Sequence, residues 1–517
     1  MKSKYLFLIL LVFLLGCESR AKKNQKRVDG YIQQARRLVK QQTLLKWFNI
    51  VHNKPMNIAE TYDAHRELFS LQNIDFVNYV HQETRDEERV RELLFFRNYL
   101  IQGYEITQNF KINKQIEDIL TTPLVLNGKK YLLLRFDPQI ATLQQLKAFQ
   151  KEFHSYRKTF SRLQELILKR VQRQNSLAGQ LGYPNAIEMS ATLRHLSLIQ
   201  LKQISKGFLE ASDSLYTRLL EEMSARHLNK KKLPLSLSDI FYLKTPREFD
   251  GGFNSENMES NMKWYLGGLN IDLNKQKNLK LYLATNPEIL FGAYCAPVEI
   301  STDVRLAVSL SDGFTDFLNY FGEMGRAQHF LHEKTNRWVF QVLGPGITQQ
   351  LFVELFRNVL GDTLLLNNFV PFTPEERQHY MKYWQFRQLL KARHLTALYM
   401  YEFEIYSGVE NLDETYQQLM ERALKIKLHP EEFYWDIASV GGFFRQVDQL
   451  QAIFLTPMVE DFLINQFGEK WFKNPETTKW FQKIWEKGDY WLLPELLKKT
   501  GNQELSVQPF LQRFSGD

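Results

Sequence analysis

Between Gly313 and His332 the chain reads Gly313-Phe314-Thr315-Asp316-Phe317-Leu318-Asn319-Tyr320-Phe321-Gly322-Glu323-Met324-Gly325-Arg326-Ala327-Gln328-His329-Phe330-Leu331-His332. At 100° per residue, Gly322, Arg326, His329 and Glu333 share one face of a helix. A carboxylate and an imidazole brought together can ligate a metal, so His329 with Glu323 or with Glu354 further on forms a weak candidate set. Against it, a guanidinium on the same face repels a cation, and a lone histidine is more often a hydrogen-bonded structural residue. Glu323 and Arg326 read most simply as an i,i+3 ion pair. The two cysteines, Cys17 and Cys295, are too few for a disulfide framework, and Cys295 in its apolar run reads as a small buried core residue. The sequence has no phosphate-binding glycine loop, no G-x-S-x-G elbow and no Cys-x-x-Cys pair.

The same stretch resembles the active-site helix of the gluzincin zinc oligopeptidases, the thimet-oligopeptidase and angiotensin-converting-enzyme group, whose motif reads H-E-x-G-H-A. In that motif two histidines four residues apart hold zinc, and the glutamate between them activates the metal-bound water. Here Gly322 and Arg326 stand at the histidine positions, and Glu323 alone is retained. Four further stretches follow the family's order. These are Gln174-Asn175-Ser176-Leu177-Ala178 through Leu181-Gly182-Tyr183-Pro184-Asn185; Tyr294-Cys295-Ala296-Pro297-Val298-Glu299 with Asp303-Val304-Arg305; Phe352-Val353-Glu354, whose glutamate matches the third zinc ligand; and Phe467-Gly468 with Trp471, Asn474-Pro475, Trp485 and Gly488. The resemblance spans about Leu44 to the end of the chain.

It implies a degenerate member. Glycine donates nothing to a metal and a guanidinium has no lone pair to offer, so the family's site is not expected to form and no cofactor is expected; bound zinc would overturn that reading. The family's transition-state tyrosine falls near Gly441-Gly442-Phe443-Phe444, where there is no hydroxyl. If Glu323 and Glu354 still face each other, Arg326 is placed to satisfy both by forked hydrogen bonds. The function implied is a pseudopeptidase that binds a peptide or a protein partner in its cleft, with the peptide lying along Gly292, Ala293, Tyr294 and Cys295 as an added strand. Two rivals stand beside it: an active metallopeptidase with substitute ligands, and a structural or interaction lipoprotein of the cell envelope.

The elements that must position these residues are mostly helical. Leu68, Leu71, Phe76 and Val80, then Val90, Leu93, Leu94 and Tyr99, recur at helical spacing, and long helices are expected from Thr142 to about Leu181 and from Leu196 to about His227. Leu124 to Leu134 reads as a hairpin around Asn127-Gly128. Leu279–Leu283, Gly292–Val298 and Asp303–Val308 read as a small antiparallel sheet next to the Glu323 helix. The expected fold is therefore mainly α: a large, two-lobed, peptidase-like helical body with a deep cleft and a small sheet beside the active-site helix.

Met1 to Cys17 carries a basic start, an apolar run from Tyr5 to Gly16, and Leu14-Leu15-Gly16-Cys17, which resembles the lipobox of bacterial lipoproteins. That run falls short of the about 20 apolar residues a membrane-spanning helix needs. The expected organisation is a signal peptide over 1–16, a basic linker or helix over 17–43 following a lipid-bearing Cys17, and the oligopeptidase-like domain over 44–517. The body is placed outside the cytoplasm, anchored to a membrane of the bacterial envelope. Arg20 to Lys46 holds nine Lys or Arg against Asp29 alone, an excess equal to the chain's net charge of +8. This stretch is either drawn to anionic headgroups or simply a solvated helix, and no nucleic-acid motif accompanies it.

Overall fold

The structure, a computed structural model, describes residues 20–514 apart from 53, 127–128, 133–151, 153, 231, 245–246, 285–291, 311–312, 429–431, 433–435 and 437–439. The signal segment, Cys17, the Asn127-Gly128 turn and the expected helix start at Thr142 lie outside the described residues. In chain order the first helices are α1 (Arg20–His52), α2 (Ile58–Ala64), α3 (Leu71–Glu83), α4 (Glu87–Gln108) and α5 (Phe110–Thr121). The strands β1 (Pro123–Leu126) and β2 (Lys129–Leu132) follow and pair antiparallel. Then come α6 (Arg157–Gln180), α7 (Ala186–Arg194), α8 (Leu198–Ala211), α9 (Asp213–Leu228), α10 (Leu237–Lys244) and α11 (Met258–Gly268). The central part holds β3 (Leu279–Ala284), β4 (Ala293–Glu299), β5 (Asp303–Ser309), α12 (Phe314–Leu331), α13 (Trp338–Val342) and α14 (Ile347–Asn358). The chain ends with α15 (Thr363–Phe369), α16 (Pro374–Ser407), α17 (Leu412–Leu424), α18 (Val447–Phe467), α19 (Pro475–Trp485), α20 (Leu493–Lys499) and α21 (Gln508–Gln512).

One contiguous cluster of buried apolar side chains runs from Val28 in α1 to Phe514. Helix α1 runs unbroken across residue 43, the expected boundary between a basic linker or helix and the body. It buries Val28, Ile32, Ala35 and Leu38, and so packs as part of the body on both sides of that position. The helix expected from Leu196 to His227 is two helices that meet at Ser212. There the buried Arg393 donates to the Ser212 hydroxyl at 2.6 Å and to the Leu209 carbonyl at 2.9 Å. Phe372-Thr373-Pro374 starts the long α16. The Thr373 hydroxyl accepts from the Glu376 N–H, the Glu376 carboxylate accepts from the Thr373 N–H, and Pro374 fills the first turn, where no donor is needed.

The three-stranded sheet is mixed, in the order β3-β5-β4, where an antiparallel sheet was expected. The β4 and β5 strands form the antiparallel hairpin, turning at Ser301 with φ of 60°. β3 pairs with the far side of β5 and runs parallel to it, Leu279 opposite Val304 and Leu283 opposite Val308. The apolar run Val304, Leu306, Ala307, Val308 is fully buried, which suits β5 to the middle of the sheet. Among the described residues no strand pairs with the other side of β4, and Pro297, which has no N–H to offer, sits on that side.

Candidate functional site

Helix α12 leaves the sheet directly after β5 and is buried along almost its whole length. Its start is set by Gly313, where a Cβ would come within 2.3 Å of the Asp250 carboxylate; that carboxylate accepts from the Phe314 N–H at 3.1 Å. A second acid, Asp316, lies in the first turn, where it complements the helix dipole. Further along, α12 presses against α14 at Gly325, where a Cβ would lie 2.2 Å from the Phe352 carbonyl oxygen. No side chain fits between the two backbones there, so Glu323 and Glu354 are carried on helices in direct contact.

The structure places Glu323 and Arg326 together, with side chains 12% and 18% exposed. Arg326 Nε donates to Glu323 Oε2 at 2.9 Å and Nη2 reaches Oε1 at 3.4 Å, while Nη1 donates to the Gln349 side-chain oxygen at 3.0 Å. The guanidinium does not bridge to Glu354, as had been expected of it. Glu354 instead takes Lys391 Nζ at 2.5 Å and Arg357 Nη1 at 3.1 Å. Burial alone would raise the Glu354 pKa, but Lys391 and Arg357, with Arg387 beyond them, hold it below the usual carboxylate range. Burial also pushes Lys391 down to about 8, opposed by Glu354. Each carboxylate therefore has its own fixed cation, because Arg357 rises from α14 into the space beside Gly322. A Cβ on Gly322 would stand 2.4 Å from the Arg357 Nε.

His329 is fully buried, and its Nε2 lies 3.2 Å from Asp489 Oδ1. Gln349 donates to the other Asp489 oxygen at 2.5 Å, which links His329, Asp489, Gln349, Arg326 and Glu323 in one buried chain of polar contacts. Burial raises the Asp489 pKa, with His329, Gln349 and Arg326 opposing it. Next to Asp489, Glu333 is pushed up to about 9 by burial and by the Asp489 charge. His332 is half-buried and stacked on Trp485 at 4.9 Å. Among the described residues no group of three or more His, Cys, Asp and Glu is arranged to hold a metal ion.

Ala293, Tyr294 and Cys295 lie at the start of β4, and Gly292 precedes it with φ of 68°. The Gly292 carbonyl accepts from Ser309 in β5 at 2.7 Å, so by alternation the N–H and C=O of Ala293 and Cys295 point to the free side. The Cys295 N–H on that side donates to Glu323 Oε2 at 3.3 Å. The edge strand and the helix glutamate are thus in direct contact. The Cys295 thiol is buried and its pKa is raised, by burial first and by Glu323 second.

Set beside solved structures, the chain is similar to the carboxypeptidase of Pyrococcus furiosus, in a structure described as Apo-Mg, with a TM-score of 0.58 and 17% sequence identity over 94% of this chain and 98% of that one. No family profile matches the sequence. No curated protein matches it either. The likeness covers nearly the whole of both chains. The chain shares the largely helical fold of that carboxypeptidase.

The resemblance of the α12 stretch and of Glu354 to the gluzincin motif implies a zinc ion at residues 322, 326 and 354, and the residues present do not fit one. Zinc is held by donors with lone pairs, and three protein ligands leave one position open in a catalytic site. At the positions matching the ligands, Gly322 offers no atom and has Arg357 against it, Arg326 brings a permanent positive charge, and Glu354 is already held by two cations. Sequence reasoning missed Arg357, Lys391, Gln349 and Asp489. Only Arg357 carried a signal, since it follows Glu354 by three residues just as Arg326 follows Glu323. Lys391 and Asp489 reach the site from 37 residues beyond Glu354 and 140 residues beyond Gln349, and no local spacing shows that.

Proposed function

We propose that this chain is a pseudopeptidase: a helical metallopeptidase scaffold that binds peptides without hydrolysing them, anchored in the bacterial envelope through a lipid on Cys17. The observation that carries the loss of chemistry is the pairing of Glu323 with Arg326 and of Glu354 with Arg357 and Lys391. Each glutamate has its charge balanced by a side chain, and a carboxylate locked in a charge-assisted pair is a poor general base for water. Peptide binding is supported by the free edge of β4. An extended peptide can hydrogen-bond to the outward N–H and C=O of Ala293 and to the Cys295 carbonyl, which requires no water activation.

Elemental analysis of the dialysed soluble body, together with a peptide-hydrolysis assay, tests the first half. The expected result is no stoichiometric zinc and no turnover; one zinc per chain with turnover would sink the proposal. For the edge, Ala293→Pro removes an outward N–H without touching the β4–β5 ladder. It should abolish peptide binding while leaving the circular dichroism spectrum unchanged. Lipidation at Cys17 predicts labelling by a radioactive fatty acid in growing cells, lost in Cys17→Ser.

A further inference from the structure

Helices α14, α16 and α18 and the last turns of the chain enclose a cavity of about 370 Å³, and no residue of β4 lines it. The exposed Ile464 and the half-buried Asp461 belong to its lining, so it reaches the surface there. Two tryptophans in its wall are deeply buried, Trp384 at 7% and Trp471 at 4% exposure. Neither indole N–H has an acceptor among the described residues, whereas the Trp491 indole, outside the cavity, donates to the Ile484 carbonyl at 3.1 Å. Nor is either nitrogen sealed off, as the unpaired Trp485 Nε1 is. Any side chain at position 361 would cover the Trp384 Nε1, and Gly361 leaves it open. A donor in a buried place without an acceptor is unfavourable, so two in one cavity wall call for a partner that the chain does not supply.

Acceptors stand open in the same wall. Gln385 is half-buried and its amide is unengaged among the described residues, while Gln388 donates to the Asn358 side-chain oxygen at 3.0 Å and keeps its own oxygen open. Pro457 has no N–H, so the Ile453 carbonyl one turn back in α18 lacks its helical donor, and both residues line the cavity. The charged groups of the lining are already engaged. Glu460 accepts from Asn358 at 2.9 Å and pairs with Arg513, which also holds an Asp461 oxygen at 3.1 Å. Asp362 accepts the Leu364 N–H at 2.8 Å, and Glu354 has Lys391 and Arg357. The wall therefore favours a neutral ligand over an ammonium or a carboxylate. Between the polar groups lie the apolar Phe510, Phe514 and Met381. A fitting ligand accepts from the indoles, donates to amide and carbonyl oxygens, and turns C–H faces to the rings. A sugar ring does all three, because each of its hydroxyls is donor and acceptor at once, and the volume lies within the range of about 300–1,000 Å³ usual for small-molecule sites.

We propose that this cavity is a binding site for a neutral sugar ring, whose hydroxyls take the Trp384 and Trp471 indole N–H groups and the Gln385 amide. The proposal stands apart from the peptide reading and does not depend on it. The test is saturation-transfer NMR with titration calorimetry on the full-length protein, held in a detergent without a sugar head group. Glucose, galactose, mannose and N-acetylglucosamine are the probes, with tetramethylammonium and acetate as charged controls. At least one sugar should bind saturably, and neither charged control should. Trp384→Phe and Trp471→Phe, which keep an aromatic ring and delete one N–H each, should weaken that sugar about threefold to tenfold, the worth of one neutral hydrogen bond. Gln385→Leu, at a half-buried position, should do the same, and it carries the test if a tryptophan variant fails to fold. Absence of saturable binding by all four sugars, tighter binding of either charged control, or sugar binding unchanged in Gln385→Leu and in every folded tryptophan variant would each overturn the proposal.

Discussion

The position of Arg357 decides what a repair of the metal site requires. Histidines at 322 and 326 restore the motif on paper, but a side chain on residue 322 must enter space that Arg357 fills, its Nε 2.4 Å from the Cβ position. Even with both imidazoles present, the guanidinium would remain beside the metal and would keep hold of Glu354. The double variant Gly322→His with Arg326→His should therefore take up far less than one zinc per chain. The triple variant that adds Arg357→Ala clears the space and frees one Glu354 oxygen, and it should approach one zinc per chain in equilibrium dialysis with elemental analysis. Equal loading of the two variants would show that Arg357 swings aside freely. The same residues bear on stability. Among the described residues, Arg326→Ala leaves Glu323 with the Cys295 N–H as its remaining partner in a largely buried place, and removing one member of a buried pair costs about 3 kcal/mol. Replacing both together, Glu323→Leu with Arg326→Met, should cost much less in urea unfolding, because no charge is left unpaired.

At the scale of elements, the end of α12 meets the turn at Gly488–Tyr490 through buried acids. A Cβ on Gly488 would touch the Glu333 carboxylate at 2.9 Å, and Asp489 lies beside it. With its pKa pushed up to about 9, Glu333 holds a proton at neutral pH in the folded chain and loses it in the unfolded one. Between the ordinary carboxylate value and about 9 the folded state binds the extra proton, so stability from this group falls as pH rises, by up to about 1.4 kcal/mol per pH unit. Glu333→Gln, which mimics the protonated acid, should flatten the decline in unfolding free energy between pH 5 and pH 9; an unchanged slope would mean that another group carries it. None of this contact could be seen in the chain's local pattern, since Glu333 and Asp489 meet only through the tertiary fold. What could be seen was local: the 3-4 spacing that makes α12, the hairpin of β4 and β5, and Glu323 with Arg326 one turn apart. The parallel pairing of β3 escaped because alternation of apolar residues marks a strand but names neither its partner nor its direction.

At the scale of the whole molecule, α1 links the body to the proposed anchor, and its two ends do different things. Its middle and later turns belong to the body: Val28, Ile32 and Leu38 lie in the main core, and Arg36 and Lys40 bind Glu299 at the end of β4, holding that carboxyl below its usual range. Its first turns, by contrast, carry Arg20, Lys22, Lys23, Lys26 and Arg27, all exposed. A lipid on Cys17 would hold these cations within a few residues of the headgroups, inside the screening length of about 8 Å at physiological salt. Each cation near an anionic surface contributes about 1 kcal/mol, so three of them add roughly a hundredfold to partitioning. An unlipidated body, Cys17→Ser with the signal segment removed, should therefore co-sediment with vesicles containing phosphatidylglycerol but not with purely zwitterionic ones. The triple change Lys22→Gln, Lys23→Gln and Lys26→Gln should remove most of that binding without altering thermal stability, because none of the three side chains is buried. Equal binding to both kinds of vesicle, or none to either, would make these turns a solvated face and leave the lipid to hold the protein alone. Loss of stability along with binding would instead mean that the basic turns are part of the packing, as the middle of α1 is.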